Sequence, residues 1–183
     1  MAARALPAPL AQLPNTLTVA RLAAIPVFVV LVLTADNGHS WPAAILFGAA
    51  GITDQIDGWL ARRWRVESEF GRFADPLADR LMIDAAVILL WVADRLPWPA
   101  LVLILVRDLL LVGGYKLVAP RGYELSVNFL GKAATWVLYA ALAFMLASHP
   151  GTDWPVWLFW SGLAIAGAAA AGYIASAART VRA

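Results

Sequence analysis

The chain has 183 residues, 62% of them hydrophobic, and its mean hydropathy is +0.72. These values exclude an ordinary soluble domain and favour one polytopic membrane domain over residues 1–183. The absence of cysteine excludes disulfides and thiolate metal sites, and a net charge of only +2 without a nucleic-acid motif argues against a nucleic-acid partner.

The chain begins with a proline-rich segment, "LPAPLAQLPN" at residues 6–15. Its apolar runs are too short to cross a bilayer, so we expect an interfacial segment that leads into the first helix, with Asn15 or Thr16 as the cap. The apolar run that follows is long and has no convincing cleavage site. It is therefore expected to be a retained helix and not a removed signal.

Six apolar stretches are long enough to cross the hydrocarbon core, which takes about 20 helical residues. They predict an all-α fold with six transmembrane helices. The predicted spans are residues 16–35, 41–63, 73–93, 98–119, 125–147 and 154–178. The connections after the first, third and fifth spans carry Trp41, Trp98 and Trp154 beside proline, which is typical of the outer membrane interface.

Basic residues gather at the other set of connections and at both termini, while Arg95 alone lies among the outer connections. Positive residues favour the cytoplasmic side, where they would also face anionic lipid headgroups. We therefore expect a multi-pass protein of the inner (cytoplasmic) membrane with both termini in the cytoplasm. The basic residues on that side are Arg4, Arg62, Arg63, Arg65, Arg72, Lys116, Arg121, Arg179 and Arg182.

The last span is rich in small residues. Gly167 and Ala171 are four apart and form a face that permits close helix contact. Packing inside the bundle is the favoured use of this face, and a homodimer is the alternative.

Four aspartates and two glutamates, half of the twelve acidic residues, lie in one stretch, residues 54–79, here called the aspartate motif. Asp54 and Asp57 are three apart near one end of the second helix, and Asp75 and Asp79 are four apart near the start of the third. Each pair thus shares a helix face. The short connection makes these helices antiparallel neighbours, so at about 1.5 Å per residue both pairs reach a similar depth on the cytoplasmic side.

Four carboxylates at a membrane boundary repel one another and lose hydration, so a cation is expected among them. An all-oxygen set favours Mg²⁺ or Mn²⁺. Magnesium often takes phosphate oxygens as further ligands, which indicates a phosphorylated substrate, and two ions would fit phosphoryl transfer. The alternative is a solvated helix end whose aspartates pair with Arg63, Arg65 and Arg72.

The residues between the aspartates fit a phosphate ligand. Gly58 and Ala61 leave the carboxylate face bare, so a ligand can approach the helix backbone. Arg62 lies one turn after Gly58 and can reach a diphosphate. Gly71 gives the turn the freedom to re-enter the membrane, and Pro76 is tolerated in the first turn of the third helix.

The full spacing is Asp54-x-x-Asp57-Gly58-x-x-Ala61-Arg62, then eight residues, then Gly71-x-x-x-Asp75-x-x-x-Asp79. With no position missing, it resembles the signature of the CDP-alcohol phosphatidyltransferases, enzymes of phospholipid biosynthesis. The segment "NTLTVAR" at residues 15–21, followed by Pro26, is similar to the family's first-helix pattern, and six spans is the family's usual number.

The resemblance implies that an acceptor hydroxyl attacks the β-phosphate of CDP-diacylglycerol and that CMP leaves. Asp79 would be the general base that takes the hydroxyl proton. The resemblance assigns the metal pair to Asp54, Asp57, Asp75 and Asp79. It assigns the CDP moiety to Gly58, Ala61 and Arg62, with Gly71 counted beside them.

Residues in and after the aspartate motif indicate which type of acceptor alcohol the protein uses. "FADPLADR", which contains Pro76, is similar to the branch that uses glycerol-type acceptors, namely phosphatidylglycerophosphate synthases and CMP-forming cardiolipin synthases. Arg107-Asp108 resembles the Arg-Asp of cardiolipin synthases more than the Arg-Glu frequent in the other group, and "GKAAT" at residues 131–135 departs from that group's Gly-Lys-x-Lys-Thr. Phosphatidylglycerol is the favoured acceptor, and glycerol 3-phosphate is the alternative.

Arg21, Arg107 and Lys132 are cations inside predicted spans and are therefore candidates to bind an anionic acceptor. Arg107 has an alternative role as the ion-pair partner of Asp108. Lys132 has one as a side chain that extends to the interface. Asp84 is expected to pack or hydrogen-bond and not to bind metal.

Two other classes compete with an enzyme. A transporter would place charges near mid-membrane and often shows internal repeats, whereas here the acids gather at one end and no repeat is visible. A non-catalytic membrane protein would not need the full set of carboxylates. The predicted partners are CDP-diacylglycerol, an anionic glycerol-type acceptor, the lipid bilayer and, through the small-residue face, a second copy of the chain.

Overall fold

Six long helices follow one another along the chain. The computed structural model describes the backbone of residues 8–64, 69–118 and 129–182, and the side chains of residues 16–54, 56, 80–109 and 129–172. The helices are α1 (Ala8–Leu33), α2 (Trp41–Trp64), α3 (Glu69–Val92), α4 (Trp98–Val118), α5 (Phe129–Ala147) and α6 (Trp154–Arg182). This part of the chain contains no strand, which confirms the all-α prediction for it.

Several helix ends match the expected ones. The α2, α4 and α6 helices begin at Trp41, Trp98 and Trp154, each followed by proline. Proline suits a helix start because its missing N–H would have no partner there. The three indoles are exposed, as an interfacial anchor requires.

The starts of two helices were predicted wrongly. The α1 helix begins at Ala8 and continues through Pro9 and Pro14, so neither Asn15 nor Thr16 caps it and the interfacial segment is not a separate element after residue 8. Pro9 lies in the first turn and removes no hydrogen bond, and Pro14 removes one, which a long helix tolerates. The α3 helix begins at Glu69, so Pro76 lies in its second turn and not in its first.

The predicted number of membrane spans is only partly matched. Three helices in the described part of the chain are long and apolar enough to cross a bilayer, over Thr16–Leu33, Phe129–Ala147 and Trp154–Gly172. The side chains described for α2, α3 and α4 cover less of each helix than a crossing needs, and those of α3 and α4 include charged residues. Among the described residues, three of the six expected spans are therefore found as candidates.

The core lies where α3 and α5 meet their neighbours. The α3 helix contacts α1, α2, α4 and α5, and α5 also contacts α2 and α6. Phe28 and Phe47 are completely buried, with ring centroids 5.7 Å apart, and Phe47 lies 5.0 Å from the ring of Tyr139. Large apolar side chains also cover the outside of the bundle, as expected of helices in contact with lipid. The most exposed of these are Phe129, Leu109, Trp157 and Trp98.

Hydrogen bonds join the three connections at one end of the bundle, residues 34–40, 93–97 and 148–153. We call this end the Trp end, because α2, α4 and α6 begin there with tryptophan. The Ser40 N–H donates to the carbonyl of Leu146, in the last turn of α5, at 2.8 Å, and the rings of His39 and His149 lie 4.2 Å apart. Arg95 Nη2 donates to Ser148 Oγ at 3.1 Å and to the carbonyl of His149 at 3.4 Å. The three connections therefore hold one another in place.

The small-residue face of α6 does not pack inside the bundle. Gly167 and Ala171 are both exposed, and a Cβ added at Gly167 would meet nothing within 4 Å. The close approach of α6 to α5 occurs instead at Gly162, where an added Cβ would lie 2.9 Å from Leu138 Cγ. Leu138 is completely buried and has little room to move.

Gly162 and Gly167 provide a matched test of this packing. Gly162→Ala is expected to destabilise the bundle, because overpacking costs about 1–3 kcal/mol and the gain in helix propensity offsets only about 1 kcal/mol. Gly167→Ala keeps the propensity gain without the clash, so its melting temperature in detergent should equal or exceed that of the wild type. Equal melting temperatures for the two variants would contradict the tight contact.

Candidate functional site

A layer of charged side chains crosses the apolar bundle at one level. From the Trp end, Arg21 lies about 18 Å along α1 and Asp54 about 20 Å along α2, at about 1.5 Å per residue. By the same measure Arg80 lies about 18 Å along α3 and Arg107 about 14 Å along α4. Four helices thus bring charge to a similar depth, and we call this set of residues the polar layer.

The first aspartate of the motif is paired with an arginine of α1. Arg21 Nη1 lies 2.7 Å from Asp54 Oδ1, and the Arg21 side chain is only 2% exposed, against 20% for Asp54. A guanidinium this deeply buried needs a carboxylate, because an unpaired ion in such a place costs several kcal/mol. The contact of α1 with α2 therefore positions Asp54. Whether Arg21 also binds an acceptor stays a prediction.

The other motif residues are placed only at the level of the helices. Helical register puts Asp57 one turn beyond Asp54 on α2, and Asp79 one turn beyond Asp75 on α3. The α2 and α3 helices contact each other, as the predicted meeting of the carboxylates requires. The motif side chains that lie outside the described residues are those of Asp57, Gly58, Ala61, Arg62, Gly71, Asp75 and Asp79.

Within the described side chains, no three His, Cys, Asp or Glu lie together as metal ligands. Of the four motif aspartates, only Asp54 has a described side chain. The convergence of the four carboxylates on a metal therefore stays a prediction.

A second group of polar residues joins α3, α4 and α5. Arg80 Nη1 donates to the main-chain carbonyl of Asp108 at 2.8 Å. Arg107 Nη1 lies 3.4 Å from Asp108 Oδ1, and Arg107 Nη2 donates to Thr135 Oγ1 at 3.4 Å. Asp84, one turn after Arg80 on α3, interacts electrostatically with Asp108 and with both arginines. We call these five residues the α3–α5 cluster.

Arg107 has the ion pair that the sequence offered as an alternative to acceptor binding. The ion pair with Asp108 does not bury Arg107 completely, because the Arg107 side chain is still 20% exposed. Lys132 is exposed on α5, one turn before Thr135. The Thr135 hydroxyl donates back to the carbonyl of Gly131 at 3.1 Å, so the "GKAAT" segment contacts α4 through Thr135.

Three members of the α3–α5 cluster were not singled out as site candidates by the sequence: Arg80, Asp84 and Thr135. A signal for two of them was present. Arg80 and Asp84 are four apart inside an apolar helix, where an acid and a base on one face indicate a buried polar contact. Thr135 gave no such signal, since a threonine inside a membrane helix commonly donates to its own backbone.

Comparison with known proteins identifies the family. A model of the CDP-alcohol phosphatidyltransferases matches residues 11–168, which include the whole aspartate motif and the polar layer.

The chain is similar to proteins with two kinds of name. It is 36% identical over 167 residues to the CDP-diacylglycerol–glycerol-3-phosphate 3-phosphatidyltransferase of Bacillus subtilis, covering 80% of this chain and 86% of that protein. It is 33% identical over 142 residues to the protein of the same name from Rickettsia bellii, covering 78% of each. It is 40% identical over 148 residues to the CMP-forming cardiolipin synthase of Streptomyces coelicolor, covering 78% of this chain and 67% of that protein.

These findings agree with the chemistry of the site. Enzymes of the matched family use a divalent metal ion, and the donor set of the motif consists only of carboxylate oxygens, which suit such an ion. The family model matches well over half of the chain, and the relatives align over more than two thirds of it. The chain belongs to the CDP-alcohol phosphatidyltransferase family.

Proposed function

We propose that the protein transfers the phosphatidyl group of CDP-diacylglycerol to the hydroxyl of phosphatidylglycerol, forming cardiolipin and releasing CMP. The observation that carries this proposal is the polar layer. It holds the first motif aspartate at a depth similar to that of Arg80 on α3 and Arg107 on α4. A donor diphosphate and an anionic acceptor can therefore be bound at one level of the bundle.

The donor side is assigned to the aspartate motif. Asp54, Asp57, Asp75 and Asp79 would hold two Mg²⁺ or Mn²⁺ ions, which would neutralise the charge of the diphosphate and of the leaving CMP. Arg21 supports this role, because its contact with Asp54 orients one carboxylate in advance. The residues proposed to hold the CDP moiety are Gly58, Ala61, Arg62 and Gly71.

Proton transfer is assigned to Asp79. Its carboxylate would take the proton from the acceptor hydroxyl as the hydroxyl oxygen attacks the β-phosphorus. The bond between that phosphorus and the bridging oxygen of the diphosphate breaks, and CMP leaves with the electron pair. A base in contact with the hydroxyl contributes about 10²- to 10⁴-fold to such a step.

The acceptor side is assigned to Arg107 and Lys132, with Arg21 as a further candidate. Arg107 is held by Asp108 and Thr135 but keeps a partly exposed side chain. Lys132 is exposed one turn from that contact. Two cations so placed can bind the phosphate of the acceptor while its hydroxyl faces the donor.

Glycerol 3-phosphate is the second candidate acceptor. Relatives from Bacillus subtilis and Rickettsia bellii carry that substrate in their names, whereas the relative from Streptomyces coelicolor is a cardiolipin synthase. The comparisons therefore support a glycerol-type acceptor of either kind, and the Arg107-Asp108 pair favours phosphatidylglycerol.

We further propose that all six helices cross the inner membrane, with the aspartate motif and both termini on the cytoplasmic side. The α2, α3 and α4 helices have 24, 24 and 21 residues. At about 1.5 Å per residue, each is long enough for a hydrocarbon core of about 30 Å. A homodimer through the exposed face of Gly167 and Ala171 is part of this proposal, and crosslinking in native membranes would test it.

The reaction itself is tested with the purified protein, CDP-diacylglycerol, Mg²⁺ and each acceptor separately. We expect CMP release with phosphatidylglycerol, cardiolipin identified by mass spectrometry, and loss of both on chelation of the metal. Product formation only with glycerol 3-phosphate would move the assignment to the second candidate. If no acceptor leads to CMP release, the proposed function is wrong.

Asp79→Asn tests the base. The change removes the proton acceptor and keeps three metal-binding carboxylates, so turnover should fall by about 10²-fold or more while binding of CDP-diacylglycerol stays measurable. Asp153→Asn, an exposed change at the Trp end, is the control and should leave turnover unaltered. Near-normal turnover of Asp79→Asn would show that another group is the base.

The Arg21–Asp54 pair is tested by a double-mutant cycle of thermal or denaturant stability. Arg21→Gln should destabilise the fold by about 3 kcal/mol, because it removes a buried guanidinium that pairs with the partly buried carboxylate of Asp54. In the background of Asp54→Asn the same change should cost much less, giving a coupling energy of about 1 kcal/mol or more. Additive effects would mean that the two side chains do not stabilise each other.

A further inference from the structure

The α3–α5 cluster is balanced in charge. Arg80 and Arg107 contribute two positive charges, and Asp84 and Asp108 contribute two negative charges, so their formal sum is zero. Asp108 is tightly engaged, since its carbonyl accepts from Arg80 and its carboxylate pairs with Arg107. The cluster therefore offers an incoming anion much less attraction than two unopposed arginines would.

Asp84 differs from Asp108 in its contacts. Its Oδ1 atom is buried, yet no described residue donates a hydrogen bond to it. A buried acceptor that lacks a donor is costly, so such an atom calls for an explanation. An ionised carboxylate can only accept hydrogen bonds. It therefore suits the hydroxyl group of a ligand and repels a phosphate oxygen.

The two candidate acceptors differ in the properties to which such a carboxylate responds. The phosphate of glycerol 3-phosphate is a monoester and carries about −1.5 to −2 charges at neutral pH, since its second pKa is about 6. The phosphate of phosphatidylglycerol is a diester with a single negative charge. Both acceptors carry two free hydroxyl groups, so the charge of the phosphate is the property that distinguishes them. A carboxylate beside the acceptor phosphate thus penalises the monoester more than the diester.

We propose that Asp84 determines acceptor specificity, so that the α3–α5 cluster accepts a hydroxyl-bearing phosphodiester in preference to a phosphate monoester. This inference rests on the proposed function, because it takes the cluster as the acceptor side of the site. It assigns Asp84 a role in choosing the substrate and none in metal binding or proton transfer.

Asp84→Asn tests the proposal, because it removes one negative charge and keeps the shape of the side chain. The kcat/KM for phosphatidylglycerol and for glycerol 3-phosphate is measured for the wild type and the variant with the same CDP-diacylglycerol. The ratio of the two values should shift toward glycerol 3-phosphate on the order of tenfold, mainly through its KM. At an effective dielectric constant of about 20, one unit charge within about 12 Å is sufficient for a tenfold effect.

Asp36→Asn is the matched control. It makes the same chemical change at an exposed position of the Trp end and should leave the ratio unaltered. A purely structural role for Asp84 would lower both kcat/KM values together. An unchanged ratio in Asp84→Asn, with CMP still released, would overturn the proposal and leave the proposed function intact.

Two small-molecule competitors test the proposed preference for a phosphodiester in the wild-type protein, without any substitution. Glycerol 3-phosphate and its phosphate methyl ester share one skeleton and differ by the second negative charge. Each is added as a competitor of cardiolipin formation by the wild-type protein, with the lipid product measured by mass spectrometry. The methyl ester should inhibit at the lower concentration.

Inhibition by the monoester at an equal or lower concentration would overturn the proposal, even if Asp84→Asn fails to fold. If the wild type forms no cardiolipin but forms phosphatidylglycerophosphate readily, the charge preference is also wrong, while membership of the family stands. If no acceptor yields CMP, it is the proposed function that fails.

Discussion

A charge inside a bundle of apolar helices must be matched within that bundle, and the arrangement of this protein depends on that constraint. Arg21 is almost completely buried and is matched by Asp54 at 2.7 Å. Because the pair joins α1 to α2, it also sets how far the two helices are displaced along each other. The depth of the first motif aspartate is thus fixed by the first helix of the chain and not only by the motif.

The same constraint explains the second polar group. Arg80 and Arg107 approach Asp108 from two helices, and Thr135 adds a contact from a third. Charges that would each be costly alone become tolerable as a group, since every arginine has a carboxylate or carbonyl within reach. The bundle therefore has two polar regions at a similar depth, which fits an enzyme that transfers a phosphatidyl group to a glycerol-type acceptor.

The sequence predicted the parts of this arrangement that follow from local pattern. The Trp-Pro starts of α2, α4 and α6 were predicted to the residue, because proline and tryptophan mark a helix start at an interface. The start of α1 was predicted wrongly, because the proline-rich segment before Asn15 was expected to be a separate interfacial segment, whereas the helix begins at Ala8 and includes Pro9 and Pro14. The aspartate motif was found by its spacing alone. Its partner Arg21 was noticed only as a cation within a span, because a pairing between distant residues has no local signal.

The other differences between the predicted and observed contacts also arise from pairings between distant residues. The face of Gly167 and Ala171 fitted a packing pattern, yet α5 approaches α6 at Gly162, where the shape of Leu138 decides the contact. Likewise Arg80 and Thr135 acquire their partners only through the packing of α3 and α5 against α4. Spacing within one helix predicts which residues share a face, but not which neighbour that face will meet.

The hydrogen bonds at the Trp end have a mechanical consequence. Ser40 and Arg95 tie the connections of three helix pairs to one another, so the helices cannot separate there independently. Relative movement of the helices is therefore most restricted at the Trp end of the bundle.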